Sequence, residues 1–122
     1  MMKILLVDDD PEIILLASMA LEKIGGHSVI KSSDSKDAID TARTNIPDVI
    51  LMDYMMPGIE GPEIFQKLKI TPGLMNVPVI FITGKTKPSE VQSLIDMGAK
   101  GVISKPFNPM TLSGKVLNLL NQ

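Results

Sequence analysis

The 122-residue chain contains no cysteine and no tryptophan, and it has only three phenylalanines and one tyrosine. Without cysteine there is no disulfide framework, no thiolate metal site and no cysteine nucleophile. No apolar run has the length of a membrane span, and the amino-terminal run 4–7 is too short for the core of a signal peptide. Basic residues form no run interleaved with aromatic ones, so nucleic-acid binding is not expected. We therefore expect a cytoplasmic protein with an aliphatic core and no contact with a membrane.

Acidic residues are concentrated in the first half of the chain. The formal net charge is only −2, but residues 1–61 carry five Lys and Arg against eleven Asp and Glu, whereas residues 62–122 carry seven against three. The length suits one domain over residues 1–122. The acidic half suggests that this domain binds a cation.

Short apolar segments alternate strictly with segments of helical periodicity. The predicted strands are residues 3–7, 28–31, 49–52, 77–82 and 101–104. The predicted helices are residues 11–24, a segment from Ser33 or Ser35 to the residue before Pro47, 63–70, a segment from Pro88 or Ser89 to Met97, and 109–120. Such alternation predicts an α/β fold with a parallel sheet and helices on both faces. One doubly wound order for five strands, 2-1-3-4-5, brings the ends of strands 1 and 3 together.

The third predicted strand ends in a single carboxylate. Four apolar residues, 49–52, predict a strand buried on both faces, Asp53 follows them, and Pro57 and Gly58 then predict a turn. Ligands of open α/β sheets bind at the carboxyl ends of the strands. Taken alone, Asp53 is equally compatible with an ordinary solvated connection.

Polar side chains also follow the other strands of the predicted crevice. Asp8 and Asp9 follow strand 1, Thr83 follows strand 4 and Lys105 follows strand 5. Adjacent carboxylates are unfavourable unless a cation or proton compensates them, and oxygen ligands without His or Cys favour a hard ion such as Mg²⁺. A lysine and a hydroxyl can hold the remaining oxygens of a phosphoryl group, and a carboxylate can attack phosphorus. These residues predict Mg²⁺-assisted phosphoryl transfer onto Asp53.

Four motifs carry a family resemblance: VDDD after strand 1, LMDYMMPG after strand 3, ITG after strand 4 and SKPF after strand 5. Together they resemble the receiver domain of two-component response regulators, including the single-domain chemotaxis type, along the entire chain. The resemblance implies a flavodoxin-like (βα)5 fold with a five-stranded sheet in the order 2-1-3-4-5. It also implies a phosphoacceptor module rather than an enzyme, with only self-catalysed phosphotransfer and autodephosphorylation.

The resemblance further implies a role for each site residue. Asp53 would be the phosphoacceptor, Thr83 would bind the phosphoryl group through its hydroxyl, and Lys105 would pair with it. The implied ligands of Mg²⁺ are Asp9 directly, Asp8 largely through water, Asp53, and the backbone carbonyl of Met55. The Lys105–Pro106 peptide is typically cis in this family.

Partners follow from the same resemblance. The phosphodonor would be a phosphohistidine on a sensor histidine kinase or a histidine phosphotransfer domain. The signal would pass to a downstream protein or to an output domain outside this chain, which is either free-standing or part of a longer regulator. In the first helix, which Asp10 is expected to cap, Ile14 and Leu15 lie outside the predicted inward stripe of Ile13, Leu16, Ala17, Ala20 and Ile24. We therefore expect Ile14 and Leu15 to contact the phosphodonor.

One position departs from the family pattern. Three residues before the conserved lysine the family usually has Tyr or Phe, which rotates as the switch hydroxyl moves, whereas this chain has Val102. With Thr83 and Val102 as the switch pair, we expect phosphorylation to occur but to rearrange helix 4 and strand 5 less than usual.

Two alternatives remain open. A Mg²⁺-dependent phosphohydrolase of the haloacid-dehalogenase type also uses a strand-end aspartate nucleophile, but it would need Thr or Val where Glu12 stands and acidic ligands where the chain has Thr83, Gly84 and Lys85. A receiver domain used only as a scaffold, without phosphorylation, is the other alternative.

Overall fold

The computed structural model describes residues 1–34, 36–56, 61–84 and 86–122. Within them, five strands form one parallel sheet in the order β2-β1-β3-β4-β5, so the predicted fold class is confirmed. The strands are β1 (Lys3–Val7), β2 (Ser28–Ser32), β3 (Val49–Asp53), β4 (Val79–Thr83) and β5 (Gly101–Ser104). The helices are α1 (Pro11–Met19), α2 (Ala38–Thr44), α3 (Gly61–Lys69), α4 (Pro88–Met97) and α5 (Leu112–Leu120).

Two helices begin later than the sequence predicts, because polar side chains fold the preceding residues into turns. Before α2, the carboxylate of Asp34 accepts a hydrogen bond from the Lys36 amide at 2.8 Å. Before α5, the side-chain oxygen of Asn108 accepts one from the Met110 amide at 2.9 Å. The alternative helix start at Ser35 and the turn at residues 57–58 lie outside the described residues.

Helix α1 presents a different face to the core than its periodicity predicts. It continues into a π-helical segment, Ala20–Ile24, in which Leu21 is completely buried. Leu16 and Ile24, predicted to face inward, are 48% and 50% exposed. Ile14, predicted to lie outside the stripe, is half-buried and packs against the core. The wider π turn shifts the angular positions of the residues that follow, which is one reason why a 3.6-residue period misplaces Ile24.

Apolar side chains fill both faces of the sheet, as expected for a doubly wound fold. The cluster on one face includes residues of α2, α3 and α4, and the cluster on the other includes residues of α1, the π-helical segment and α5. Strands β3 and β4 are buried at every position. The sheet is therefore a rigid platform on which the strand ends are fixed relative to one another.

The register of the strands aligns their carboxyl ends. Val7 pairs with Met52, so the next residues along these strands, Asp8 and Asp53, lie side by side. On the other side of β3, Asp53 pairs with Ile82. Thr83 in turn pairs with Ser104, the residue before Lys105. The residues expected to form the site therefore meet at one edge of the sheet.

Candidate functional site

Three carboxylates form a cluster at the carboxyl edge of the sheet. One oxygen from each of Asp8, Asp9 and Asp53 lies within 4.8 Å of the others. Asp8 is 1% exposed and Asp53 is 8% exposed, while Asp9 is open to solvent. Because buried carboxylates at this separation repel one another strongly, the cluster requires positive charge close by.

Lys105 supplies one positive charge. Its Nζ donates to Asp8 Oδ2 at 3.1 Å and lies 3.2 Å from Asp53 Oδ1. The side chain reaches the cluster from the segment after β5, where the peptide between Lys105 and Pro106 is cis. One ammonium group against three carboxylates leaves a net charge of −2, which a divalent cation would neutralise.

The pKa values of Asp53 and Lys105 reflect the burial of these groups and the opposite charges around them. Burial first, and then the charge of Asp8, raise the pKa of the Asp53 carboxyl above its ordinary value, although Lys105 and a backbone hydrogen bond from Met55 act in the opposite direction. Burial alone would lower the pKa of Lys105, but its hydrogen bonds to Asp8 and Asp53 and their negative charges outweigh burial and raise it. Lys105 is therefore a permanent cation, and Asp53 is a carboxylate whose ionised form the fold disfavours.

The donor set fits a hard cation. The three side chains offer only carboxylate oxygens, the ligands that Mg²⁺ prefers in proteins. Met55 lies beside them, with its backbone N–H directed at the Asp53 carboxylate and its side chain 52% exposed. The predicted participation of the Met55 carbonyl remains a prediction.

Asp8 is fixed by its neighbours as well as by Lys105. Its backbone N–H donates to the Ser32 carbonyl at 3.1 Å, and its Oδ1 accepts from the Asp10 N–H at 2.9 Å. Asp10 itself is the N-cap of α1, since its carboxylate accepts from the Glu12 N–H at 2.9 Å. The predicted capping role of Asp10 is thus confirmed.

The two predicted switch residues lie on neighbouring strands. Thr83 is the last residue of β4 and is 3% exposed. Val102, in β5, pairs with Phe81 and is half-buried against the core. Val102 also lines a cavity of about 360 Å³, together with Val91 of α4 and Leu119 of α5. Val102 therefore borders an open space between α4, β5 and α5.

The two predicted docking residues differ in exposure. Leu15 is 57% exposed on α1. Ile14 is half-buried and packs against the core beneath the helix, so it does not lie wholly outside the inward face as predicted. The contact of Ile14 and Leu15 with a phosphodonor remains a prediction, in which Leu15 offers the larger exposed surface.

Sequence reasoning did not identify Gly61, which holds α3 against the site. Its N–H donates to the Tyr54 carbonyl at 2.8 Å. A Cβ at this position would lie 2.7 Å from the Asp53 carbonyl oxygen and 2.9 Å from the Phe81 ring. Only glycine permits this approach. The one available signal was a glycine two residues before the predicted helix 63–70, where it is equally typical of a turn or of a helix cap.

None of the helices in residues 1–34, 36–56, 61–84 and 86–122 has the length and hydrophobicity that a bilayer span requires.

Known proteins resemble this chain along nearly its whole length. The family model described as "Response regulator receiver domain" matches residues 4–117. Protein PilH of Pseudomonas aeruginosa is 35% identical over 112 residues, which cover 92% of this chain and 92% of PilH. The alkaline phosphatase synthesis transcriptional regulatory protein PhoP of Bacillus subtilis is 32% identical over 120 residues, which cover 98% of this chain but 49% of PhoP.

Solved structures show the same similarity. The chemotaxis response regulator CheY4 of Vibrio cholerae has a TM-score of 0.90 and 31% identity, with 98% of each chain covered. The chain spans about half the length of the first curated relatives that it matches, and nearly all of PilH and CheY4. The chain therefore belongs to the response regulator receiver domains, which are signalling modules of two-component systems and not classical enzymes.

Proposed function

We propose that this receiver domain accepts a phosphoryl group on Asp53 in the presence of Mg²⁺, from a phosphohistidine of a sensor histidine kinase or a histidine phosphotransfer domain. The observation that supports this most directly is the position of Lys105, whose Nζ lies 3.1 Å from Asp8 and 3.2 Å from Asp53. A fixed cation next to a buried carboxylate nucleophile is suited to stabilise charge that develops during phosphoryl transfer.

In the proposed step a carboxylate oxygen of Asp53 attacks the phosphorus atom. The new P–O bond forms as the P–N bond to the donor imidazole breaks, and the imidazole nitrogen keeps the electron pair of that bond and then takes up a proton. The product on the chain is an aspartyl phosphate. Water can later attack the same phosphorus, which returns the Asp53 carboxylate and releases inorganic phosphate.

The chain's own residues orient the nucleophile and hold the transferred oxygens. Lys105 and the Met55 N–H contact the Asp53 carboxylate, and both can donate to a phosphoryl oxygen once the acyl phosphate forms. Thr83, at the end of the adjacent strand, is in the proposed position to donate its hydroxyl to another oxygen. Asp8, Asp9, Asp53 and the Met55 carbonyl would hold Mg²⁺. When bound, this ion neutralises negative charge on the phosphoryl oxygens.

The partners and the output are proposed on the same basis. The exposed Leu15, close to the site along α1, would contact the helical phosphodonor. Receiver domains pass their state on by protein contact, and here the recipient would be a downstream protein or an output domain outside this chain. The family match gives no support to the phosphohydrolase alternative.

The test is the intact mass of the protein after incubation with acetyl phosphate, with and without Mg²⁺. We expect one added phosphoryl group that requires Mg²⁺ and is absent from Asp53→Asn. Asp96→Asn, an exposed residue of α4, is the matched control and should be labelled normally. Steady phosphate release without an adduct would favour either a hydrolase or an aspartyl phosphate of very short lifetime. The absence of both would favour a scaffold without phosphorylation.

A further inference from the structure

The carboxylate of Asp8 has a defined partner on each oxygen. Lys105 binds Oδ2 at 3.1 Å, and the backbone N–H of Asp10 binds Oδ1 at 2.9 Å. Lys105 belongs to the site, whereas Asp10 lies outside the carboxylate cluster and is exposed. The orientation of Asp8 therefore depends on the direction in which the Asp10 N–H points.

The direction of that N–H is set by the start of α1. Asp10 has an extended backbone, with φ −86° and ψ 113°, and its side chain accepts from the Glu12 N–H at 2.9 Å. Its carbonyl accepts the first hydrogen bond of the helix, from the Ile14 N–H at 3.0 Å. Asp10 therefore bonds to two parts of the structure. Its carbonyl and side chain accept hydrogen bonds from the first turn of α1, and its N–H donates to Asp8.

We propose that Asp10 is a positioning residue of the cation site. By capping α1 with its side chain, it fixes its own backbone so that the N–H holds Asp8 Oδ1. The Asp8 carboxylate is thereby kept in the plane that presents Oδ2 to Lys105 and the cluster. Asp10 acts through this geometry and not as a metal ligand, because its carboxylate caps α1 through Oδ1 and lies outside the cluster of Asp8, Asp9 and Asp53. The inference rests on the proposed function only in that the same carboxylates bind Mg²⁺.

The test is the Mg²⁺ dissociation constant, measured on the full chain by calorimetry and by amide chemical shifts. Asp10→Ala removes the cap, whereas Asp10→Ser and Asp10→Asn remove the charge but keep a good capping group. We expect Asp10→Ala to weaken Mg²⁺ binding by about tenfold, the lower end of the usual effect of losing a residue that orients a metal ligand. The Ser and Asn variants should bind Mg²⁺ nearly as well as the unchanged protein.

Two controls separate positioning from charge and from stability. Glu12→Gln removes one negative charge from the same exposed turn, and Ala17→Gly weakens the middle of α1 without touching the cap. If Asp10→Ala binds Mg²⁺ no more weakly than Ala17→Gly, the inference is overturned. It is also overturned if the Ser and Asn variants lose as much affinity as Asp10→Ala and more than Glu12→Gln, since the carboxylate itself would then be the active group.

The outcome is independent of the phosphorylation assay. Mg²⁺ binding that follows the expected order, in a protein that accepts no phosphoryl group, would support the role of Asp10 and overturn the proposed function. Normal phosphorylation of the unchanged protein, together with unaltered Mg²⁺ binding by Asp10→Ala, would support the proposed function and overturn the role of Asp10.

Discussion

Asp53 is buried in a position that favours reaction over stability. The site places it beside a second buried carboxylate, Asp8, and gives the two a single ammonium group, that of Lys105. A fold selected only for stability would place a neutral or apolar side chain at such a strand end. The raised pKa of Asp53 is the measurable sign of this cost, and it leads to a prediction about stability and pH.

We expect Asp53→Asn to stabilise the metal-free protein at pH 7. Because the folded state raises the pKa of Asp53 above its ordinary value of 3.8, the ionised form is disfavoured in the folded state relative to the unfolded chain. The resulting loss of stability is present above the folded pKa and disappears as the pH falls below 3.8, where the carboxyl is protonated in both states. The increase in stability caused by Asp53→Asn should therefore become smaller as the pH falls. Melting temperatures of both proteins, recorded in EDTA from neutral to acidic pH, measure this difference.

Glu63→Gln is the matched control for this measurement, because it removes one charge from an exposed position on α3. Its melting temperature should stay close to that of the unchanged protein across the same pH range. A melting temperature of Asp53→Asn that lies below that of the unchanged protein at pH 7, or a gain that grows on acidification, would contradict the prediction.

Helix α1 shows where sequence periodicity reaches its limit. The four consecutive apolar residues 13–16 cover almost the full circumference of the helix, so their pattern does not define an inward face. The predicted inward position of Ile24 is wrong for an additional reason. A π-helical turn follows α1, and no local pattern in this sequence indicates such a turn. By contrast, the start of α1 could be predicted, because Asp10 and Pro11 determine it by local chemistry.

The exposed side of α1 is the expected contact with the phosphodonor. Leu15 is 57% exposed, and an apolar groove of about 210 Å³ lies farther along the helix, lined by Leu16, Met19 and Pro109 among others. We expect Leu15→Ala to slow phosphotransfer from an autophosphorylated histidine kinase by about tenfold, which corresponds to an interface truncation that costs about 1.4 kcal/mol. The rate with acetyl phosphate, which needs no docking surface, should not change. Measuring the two rates side by side, with a panel of kinases as donors, tests this.

Ile70→Ala provides a control of similar size. Ile70 is 78% exposed and follows the carboxyl end of α3, at the opposite end of the sheet from the carboxylates. Ile70→Ala should change neither the rate of transfer from the kinase nor the rate with acetyl phosphate. Equal rates of kinase-dependent transfer for Leu15→Ala and the unchanged protein would show that the donor binds elsewhere.

The sequence predicts the topology of the sheet better than it predicts the contacts between the residues at the edge of the sheet. Strict alternation of strands and helices leads to a parallel sheet, and polar residues directly after the strands mark the edge where the site lies. The hydrogen bond from Asp10 to Asp8 and the close approach of Gly61 to Asp53 depend on backbone directions, which sequence patterns do not contain. The residues that meet at this edge could therefore be named from sequence, whereas the backbone contacts that hold them in place could not.

The output of the domain depends on how the sheet and the helices respond together. Val102 lines the cavity of about 360 Å³ between α4, β5 and α5, and its side chain has no ring that could move into that space. We therefore expect activation to rearrange α4 and β5 less than is usual in the family. Amide chemical shifts of residues 89–97 and Gly101–Ser104, recorded with Mg²⁺ before and after addition of beryllofluoride as a mimic of the phosphoryl group, measure the response.

A variant with an aromatic side chain provides the comparison that decides this prediction. Val102→Tyr places a ring at the rim of the cavity, and we expect larger shift changes in α4 and β5 on activation than in the unchanged protein. Val102→Ile adds a single methylene without a ring, so it should behave like valine if the rotation of a ring, and not the size of the side chain, transmits the signal. Large changes along α4 and β5 in the unchanged protein would contradict the prediction, because they would require transmission from Thr83 to this surface without an aromatic side chain at position 102.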